Sequence, residues 1–196
     1  MAVVMRLEIP NGTIEQYEQT NEILGVQGDE NAPDGLIFHV AGMTDEGFLV
    51  VDVWESEEKL GAFLEKAGPA FAELGVPDTA PEIMPLHALI PEGQGTEHNV
   101  IMETRANIGT DEYDRMVGQI PSHAGDGSQH PVAVHVVAVA DDGSLFIMDI
   151  WESPEAFAEY AEREIIPVAD ESMEISPRFV PVLNTIRGTA SVSART

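Results

Sequence analysis

The spacing of apolar and polar residues predicts an alternation of strands and helices along the first half of the chain. The segment "AVVMRLEI" (2–9) is rich in β-branched and apolar residues, which is typical of a strand. Thr13 is placed to cap a helix that follows, and the apolar side chains of that helix fall on one stripe: Ile14, Tyr17 and Leu24. The runs "GLIFHVAG" (35–42) and "FLVVDVW" (48–54) are separated by acidic residues and a glycine, which predicts a β-hairpin.

A second helix and a last strand complete this half. Ser56 is placed to cap the helix, and Glu57 is its first residue. Gly68-Pro69 inside the helical pattern predicts a break or a kink, because proline removes a backbone donor and its ring crowds the preceding turn. The segment "EIMPLHALI" (82–90) predicts the closing strand. The apolar face of the helix is made by Leu60, Phe63, Leu64, Phe71 and Leu74.

The second half repeats this order with recognisable anchor residues. After Thr110 a helical stripe carries Tyr113, Met116, Val117 and Ile120. A second hairpin, a cap at Ser153 with Pro154 at the first helical position, and the strand "RFVPVLNTI" (178–186) follow in the same sequence. The halves align through Met5 with Met102, Gly12-Thr13 with Gly109-Thr110, His39 with His135, Gly47 with Gly143, Trp54 with Trp151 and Pro85 with Pro181.

The repeat predicts an α+β fold made of two tandem ferredoxin-like (βαββαβ) units. Both faces of the hairpin strands are apolar, while one layer of helices covers only one face of a sheet. The sheet of the other half is the expected cover for the second face, so we expect the units to pack sheet to sheet. The predicted boundaries are 1–91 for the first repeat, 92–99 for a polar linker, 100–187 for the second repeat and 188–196 for a tail.

Composition narrows the classes of function. The formal charge is −26, from 35 acidic and 9 basic residues, so nucleic acids and anionic membranes are not expected partners. Two explanations of the acidic surface stay open. It provides solubility, including adaptation to a cytosol of high salt concentration, or it binds a cationic partner. The absence of cysteine excludes disulfides and thiolate chemistry. No targeting segment or long apolar run is visible, which favours a soluble cytoplasmic protein.

The first hairpin brings three chemically interesting side chains together. If residues 45–46 form a two-residue turn, His39 lies directly opposite Asp52. Because side chains alternate along a strand, Asp52 shares its face with Trp54. The first half therefore presents a histidine, a carboxylate and an indole on one face of an otherwise apolar sheet.

The second hairpin reproduces this arrangement with one more residue in its turn. A three-residue turn at 141–143 absorbs the extra Ser144 and sets His135 opposite Asp149. Trp151 then shares the face of Asp149. A trio of the same types is thus predicted in both halves.

A carboxylate beside a histidine in apolar surroundings favours the imidazolium and fixes the ring, which makes His39, Asp52, His135 and Asp149 candidate catalytic residues for proton transfer. The indole rings are candidate walls for an aromatic ligand. A structural explanation stands beside this one, since a buried His-Asp pair satisfies itself and a Trp at a strand end packs under a helix. Tyr17 and Tyr113 are expected in the core with their hydroxyls at the pocket mouth, where they are candidate substrate contacts.

The strand ending "D-[VI]-W-E-S", the acidic-Gly turn before it and the Pro-containing last strand resemble the dimeric α/β-barrel superfamily, in particular the antibiotic-biosynthesis-monooxygenase-like proteins. The resemblance covers both halves. It implies an intramolecular dimeric α/β barrel, a pseudo-dimer within one chain whose further homo-oligomerisation is left open. The resemblance predicts the fold better than the activity, because the superfamily includes cofactor-independent oxygenases, haem-degrading enzymes and polyketide cyclases.

The same resemblance bears on cofactors. In haem-degrading members a Trp occupies the place of Trp54, and a histidine on the following helix holds the iron. The corresponding segments here, 56–75 and 153–172, contain no histidine, so no haem and no other cofactor is expected. In the cofactor-free oxygenases a Trp and a nearby polar group hold a phenolic substrate, whose own anion reacts with dioxygen.

Histidines of the second half are candidate ligands for a metal ion. His123, His130 and His135, with Asp126 between them, offer imidazole and carboxylate ligands of the kind that suit zinc, nickel or iron. Their spacing matches no common signature, and the first half has no such cluster. No metal is therefore expected.

Two functions remain open from the sequence. The first is a small enzyme of secondary or aromatic metabolism, of the cofactor-independent monooxygenase or cyclase type, acting on a small hydrophobic or aromatic molecule. The second is a non-catalytic binding or assembly protein whose pockets hold a hydrophobic ligand or merely pack.

Overall fold

The computed structural model describes residues 1–123, 130–170, 173 and 175–191. Each half has the predicted order of strand, helix, two strands, helix and strand. The elements are β1 Val3–Pro10, α1 Ile14–Leu24, β2 Leu36–Thr44, β3 Gly47–Trp54, α2 Glu57–Glu73, β4 Glu82–Ile90, β5 Val100–Ala106, α3 Thr110–Val117, β6 Val134–Val139, β7 Leu145–Trp151, α4 Pro154–Tyr160 and β8 Arg178–Arg187.

The strands form one ring-like sheet. The hydrogen-bonded order is β1-β3-β2-β8-β5-β7-β6-β4, and β4 pairs again with β1. Every one of these pairings is antiparallel. The predicted fold class is therefore confirmed: an α+β protein with two ferredoxin-like units in one chain.

The chain divides into two compact units whose boundary runs through the last strands. The first unit contains Met1–Pro85 and the chain from Val182 onward, and the second contains Leu86–Pro181. β4 pairs with β1 up to Pro85 and with β6 from Leu86 onward. β8 likewise pairs with β5 up to Pro181 and with β2 from Val182 onward. Of the segment 188–196, predicted as a tail, the structure describes residues up to 191.

The predicted capping residues Thr13, Ser56 and Ser153 begin helices α1, α2 and α4. The Thr13 hydroxyl accepts from the backbone N–H of Gln16, whose side-chain oxygen accepts from the N–H of Thr13, which is a capping box. α1 ends at Gly25, whose left-handed φ of 71° suits a residue without a Cβ. Ser56 and Ser153 cap α2 and α4.

The break predicted at Gly68-Pro69 does not occur, since α2 is one helix from Glu57 to Glu73. Proline removes one backbone hydrogen bond from the helix interior. Buried side chains lie on both sides of it, with Leu60 and Ala67 before Pro69 and Ala70 after it. Their burial stabilises the helix across the missing bond.

The first helix of the second half is shorter than the pattern predicts. α3 ends at Val117, so Ile120 lies beyond the helix although it is still buried. Thr110 is the first helical residue, and Gly109 precedes it without a side-chain cap.

No helix in the described ranges is long and apolar enough to cross a membrane.

The hairpin strands are buried on both faces, as their apolar pattern predicts. All eight residues of β3 and all seven of β7 are buried. On one face of β3, Phe48, Val50 and Trp54 belong to a core cluster that includes Leu60 of α2. Polar side chains on that face therefore lie among apolar groups.

Gly47 and Gly143 occupy matching turns and give a paired stability test. Both have positive φ, 152° and 84°, but a Cβ on Gly47 would lie 2.0 Å from the carbonyl oxygen of Ile9, while nothing lies within 4 Å of one on Gly143. We expect Gly143→Ala to cost about 1 kcal/mol through backbone strain. Gly47→Ala adds a clash with backbone and should cost at least about 3 kcal/mol in urea unfolding. Equal losses would contradict this close packing.

Candidate functional site

The predicted register of both hairpins is confirmed. β2 and β3 pair His39 with Asp52, and β6 and β7 pair His135 with Asp149. In the second hairpin the backbone N–H of Ala140 donates to the carbonyl oxygen of Ser144, which leaves a three-residue turn. The extra residue is therefore absorbed in the turn, and the facing pair is kept.

In the first unit a chain of hydrogen bonds runs from a hydroxyl to an indole. The Nδ1 of His39 lies 2.7 Å from Oδ1 of Asp52, and the indole N–H of Trp54 donates to Oδ2 of the same carboxylate at 3.3 Å. The other ring nitrogen of His39, Nε2, is 2.8 Å from the hydroxyl of Tyr17. The side-chain amide of Asn184 donates to that hydroxyl at 3.0 Å. These contacts assign Nδ1–H as a donor to the carboxylate and Nε2 as the acceptor for the tyrosine.

The second unit repeats the chain at similar distances. The Tyr113 hydroxyl lies 2.6 Å from Nε2 of His135, and Nδ1 of His135 lies 2.6 Å from Oδ1 of Asp149. The indole N–H of Trp151 donates to Oδ2 at 3.2 Å. The order hydroxyl, imidazole, carboxylate and indole is therefore common to both units.

The position of the tyrosines is the main feature that the sequence reasoning missed. Both tyrosines line the cavities beside the histidines, and each hydroxyl is bonded to the neighbouring imidazole, a contact that the sequence does not predict. The signal was present: Tyr17 precedes His39 by 22 residues, and Tyr113 precedes His135 by 22. Asn184 was also missed, because it lies on the last strand of the other repeat.

A small apolar cavity adjoins the chain in the first unit. Its free volume is about 60 Å³. A water molecule needs roughly 10 to 15 Å³ on this measure, so the space is several times larger than one water. No lysine or arginine in the described ranges lines it. The polar lining is Tyr17, Thr20, Asn21, His39 and Asp52, and Trp54, Phe48, Phe63, Leu64 and Phe71 are among the apolar walls.

The cavity of the second unit is similar in size, about 50 Å³, but more polar side chains surround it. His123, His130 and Tyr160 line it beside the repeated chain. Trp151 is buried next to His130, at 6.4 Å between ring centroids, and is not among the lining residues. At the aligned positions of the first unit stand Gln27, Asp34 and Phe63.

Backbone contacts fix His130 at the cavity. The N–H groups of residues 93–95, in the predicted linker, donate to carbonyl oxygens of residues 130–133. The N–H of Val132 donates to Nδ1 of His130 at 3.3 Å, so the ring proton of the neutral imidazole is on Nε2. That nitrogen lies 2.8 Å from Nε2 of His123 and 3.2 Å from the hydroxyl of Tyr160. His130 is therefore a hydrogen-bond donor toward both.

The tautomer of His130 decides whether this residue has a nitrogen available for the candidate metal site of the second half. A ring nitrogen that carries a proton has no free lone pair for a metal ion. In the part of the chain that the structure describes, no group of three His, Asp or Glu side chains is arranged to hold a metal. Asp126, considered with these histidines, lies outside the described residues.

Burial sets the protonation of this cluster. It lowers the pKa of His130 from 6.5 to about 2 and that of His123 to about 3, and nearby His135 adds to both shifts. Burial also raises the pKa of Tyr160 to about 12 and raises the pKa of Tyr17 and of Tyr113. At neutral pH these imidazoles and phenols are uncharged.

Comparison with known proteins identifies the fold. No protein-family model and no curated protein matches the chain. A solved structure of a candidate monooxygenase from Lactobacillus acidophilus matches with a TM-score of 0.66 at 12% identity, covering 95% of each chain. A second candidate monooxygenase, from Fusobacterium nucleatum, matches with a TM-score of 0.67 at 6% identity, covering 100% of this chain and 97% of the other.

A candidate chlorite dismutase matches with a TM-score of 0.54 at 9% identity, covering 94% of this chain and 96% of the other. At such identities the likeness concerns the fold alone. The solved structures therefore share the fold of this chain, and this fold, with both ferredoxin-like units in one chain, agrees with what the sequence resemblance implies.

The lowered pKa of His130 predicts how stability depends on pH. Below pH 6.5 the unfolded chain gains a proton on this residue that the folded chain does not, so the imidazole reduces stability as pH falls from 6.5 toward 2. We expect the free energy of unfolding of the wild type, relative to His130→Gln, to fall by about 1 kcal/mol per pH unit below pH 6. Urea unfolding at pH 7.5, 6 and 5 measures this difference. A difference that is constant with pH would contradict the burial of a neutral imidazole.

Proposed function

We propose that the chain is a small-molecule enzyme that removes a proton from an aromatic substrate, of the cofactor-independent monooxygenase or cyclase type. The observation that carries the proposal is the hydroxyl-imidazole-carboxylate chain, present in both units with the same bonding order and beside an apolar cavity. A packing role alone requires the imidazole and carboxylate to satisfy each other, but it does not require a phenol on the remaining nitrogen.

The proposed base acts through the tyrosine. A phenolic O–H or an acidic C–H of the substrate gives its proton to the Tyr17 oxygen, while the Tyr17 proton passes to Nε2 of His39 over 2.8 Å. Asp52 stabilises the imidazolium, and the Trp54 N–H fixes the carboxylate. Asn184 holds the phenol oxygen in place throughout.

The substrate anion then reacts in one of two ways. In monooxygenation it reduces dioxygen, a CH₂ group becomes C=O, one oxygen atom enters the product and the other leaves as water with the two hydrogens. In cyclisation the same anion attacks a carbonyl group of its own chain, and no oxidant is consumed. Two similar structures are named as candidate monooxygenases and a third as an anthrone oxidase-like protein, which is consistent with the first route.

A non-catalytic ligand-binding protein is the second candidate. The observation in its favour is that every buried side-chain nitrogen and oxygen of the described residues already has a hydrogen-bond partner. In that case the chain only holds the strands and tyrosines together. The two candidates make opposite predictions for a bound phenol.

The apparent pKa of bound 4-nitrophenol, read from its phenolate absorbance, separates them. A working base should lower this pKa by about one unit or more relative to the free probe, whereas simple burial in an apolar cavity raises it. The double variant His39→Gln, His135→Gln should abolish the lowering. His98→Gln, a histidine that lines neither cavity, is the matched control and should retain it. An unchanged lowering in the double variant would remove the proposed mechanism.

The tyrosine relay is tested by Tyr17→Phe combined with Tyr113→Phe. If the proton passes through the phenols, this pair should abolish the lowering as fully as the histidine pair does. In turnover of an oxidisable probe such as anthrone, followed by oxygen consumption, each pair should lose at least about 100-fold. Retained or increased activity in the phenylalanine pair would show that the histidines act directly.

A further inference from the structure

Positive charge is scarce in this chain, and both of its lysines lie beside one cavity. Lys59 and Lys66 are its only lysines. Both lie on α2, seven residues apart, which places them on the same side of the helix two turns from each other. They line a surface depression with a free volume of about 280 Å³.

The depression adjoins the enclosed cavity of the first unit. Four residues line both spaces: Leu24, Val26, Pro33 and Phe63. The inner cavity is small and mostly apolar, and the outer depression has several times more room. A ligand with its ring inside would therefore extend past these shared walls toward the lysines.

The two ammonium groups differ in what they contact. Nζ of Lys59 lies 2.6 Å from Oδ2 of Asp34, and the side-chain stem of Lys59 packs over Gly35, where a Cβ would lie 2.6 Å away. An exposed pair of this kind contributes little and is easily exchanged. Lys66 is exposed, and no carboxylate in the described ranges pairs with it. The remaining charged group on the depression is Glu58.

The second unit does not repeat this arrangement. Alignment of the helices on Ser56 and Ser153 sets Ala156 at the place of Lys59 and Arg163 at the place of Lys66. The Arg163 guanidinium is paired with Glu164 at 3.1 Å. At these aligned positions, therefore, only the first unit has a basic side chain without a carboxylate partner in the described ranges, namely Lys66.

We propose that the first unit takes an aromatic substrate that carries a carboxylate, with the ring in the cavity and the carboxylate on Lys66, assisted by Lys59. This names the substrate class of the proposed function and rests on it for the chemistry. The overall charge of −26 repels anions at long range, so local lysines are what make a carboxylate acceptable at this entrance. Asp34 is already held by Lys59, which leaves Lys66 as the main contact.

The test compares 3-phenylpropanoate with its neutral amide, 3-phenylpropanamide, by calorimetry. The wild type should bind the acid about tenfold tighter than the amide. Lys66→Met, which keeps the length of the side chain and removes its charge, should reduce this preference to within about twofold. Arg163→Met, at the matching position of the second unit, is the control and should keep the tenfold preference. The chain has two tryptophans, so the indole N–H signals in an NMR spectrum locate the ligand, and the signal of Trp54 should move.

Each contrary result overturns the inference. These are equal binding of acid and amide by the wild type, an undiminished preference in Lys66→Met, binding that moves only the Trp151 signal, and no binding of either probe. Running the same comparison in the His39→Gln, His135→Gln background separates this inference from the proposed chemistry. A preference that survives there, with proton transfer lost, supports the carboxylate site by itself. A wild type that binds acid and amide equally yet still lowers the pKa of bound 4-nitrophenol removes the carboxylate site alone.

Discussion

The cross-strand hydrogen bond between an imidazole and a carboxylate is the constraint around which each unit is arranged. A buried carboxylate is costly unless charged or polar partners satisfy it, and here one oxygen accepts from the histidine and the other from an indole. Satisfying the second nitrogen of the imidazole then brings a helix into the arrangement, since the phenol comes from α1 or α3. Sheet and helix layers are thereby joined by a polar chain inside an otherwise apolar core.

The two units keep this chain and differ in what surrounds it. In the first, the indole lines an apolar cavity with lysines outside it. In the second, His123, His130 and Tyr160 line the cavity and the indole does not. The N–H of the neutral His130 imidazole is already bonded to His123 and Tyr160, whereas Trp54 presents an indole wall to the first cavity. The two cavities therefore lie at matching places in the two units but differ in their linings.

Hydrophobic periodicity predicted most of the fold, because strands and helices with a buried face must repeat apolar residues at their own period. The register of the hairpins also followed from the sequence, since turn length fixes which residues face each other. What could not be predicted was contact between distant segments. The tyrosine-histidine bond joins residues 22 apart on different elements, and Asn184 reaches Tyr17 across 167 residues. Pro69 was misjudged for a related reason: the local cost was visible, but the burial on both sides of it was not.

β4 and β8 each begin in one unit and end in the other, and this limits how the gene can recombine. Asn184 is encoded in the second repeat yet bonds to Tyr17 of the first, and the ring of His87, encoded in the first, lies 5.7 Å from that of Tyr113. A recombination event that separated the halves at residues 92–99 would remove from each unit part of a strand that pairs within it. The two halves therefore cannot be exchanged independently, and a substitution late in one half acts on the hydrogen bonds and ring contacts of the other.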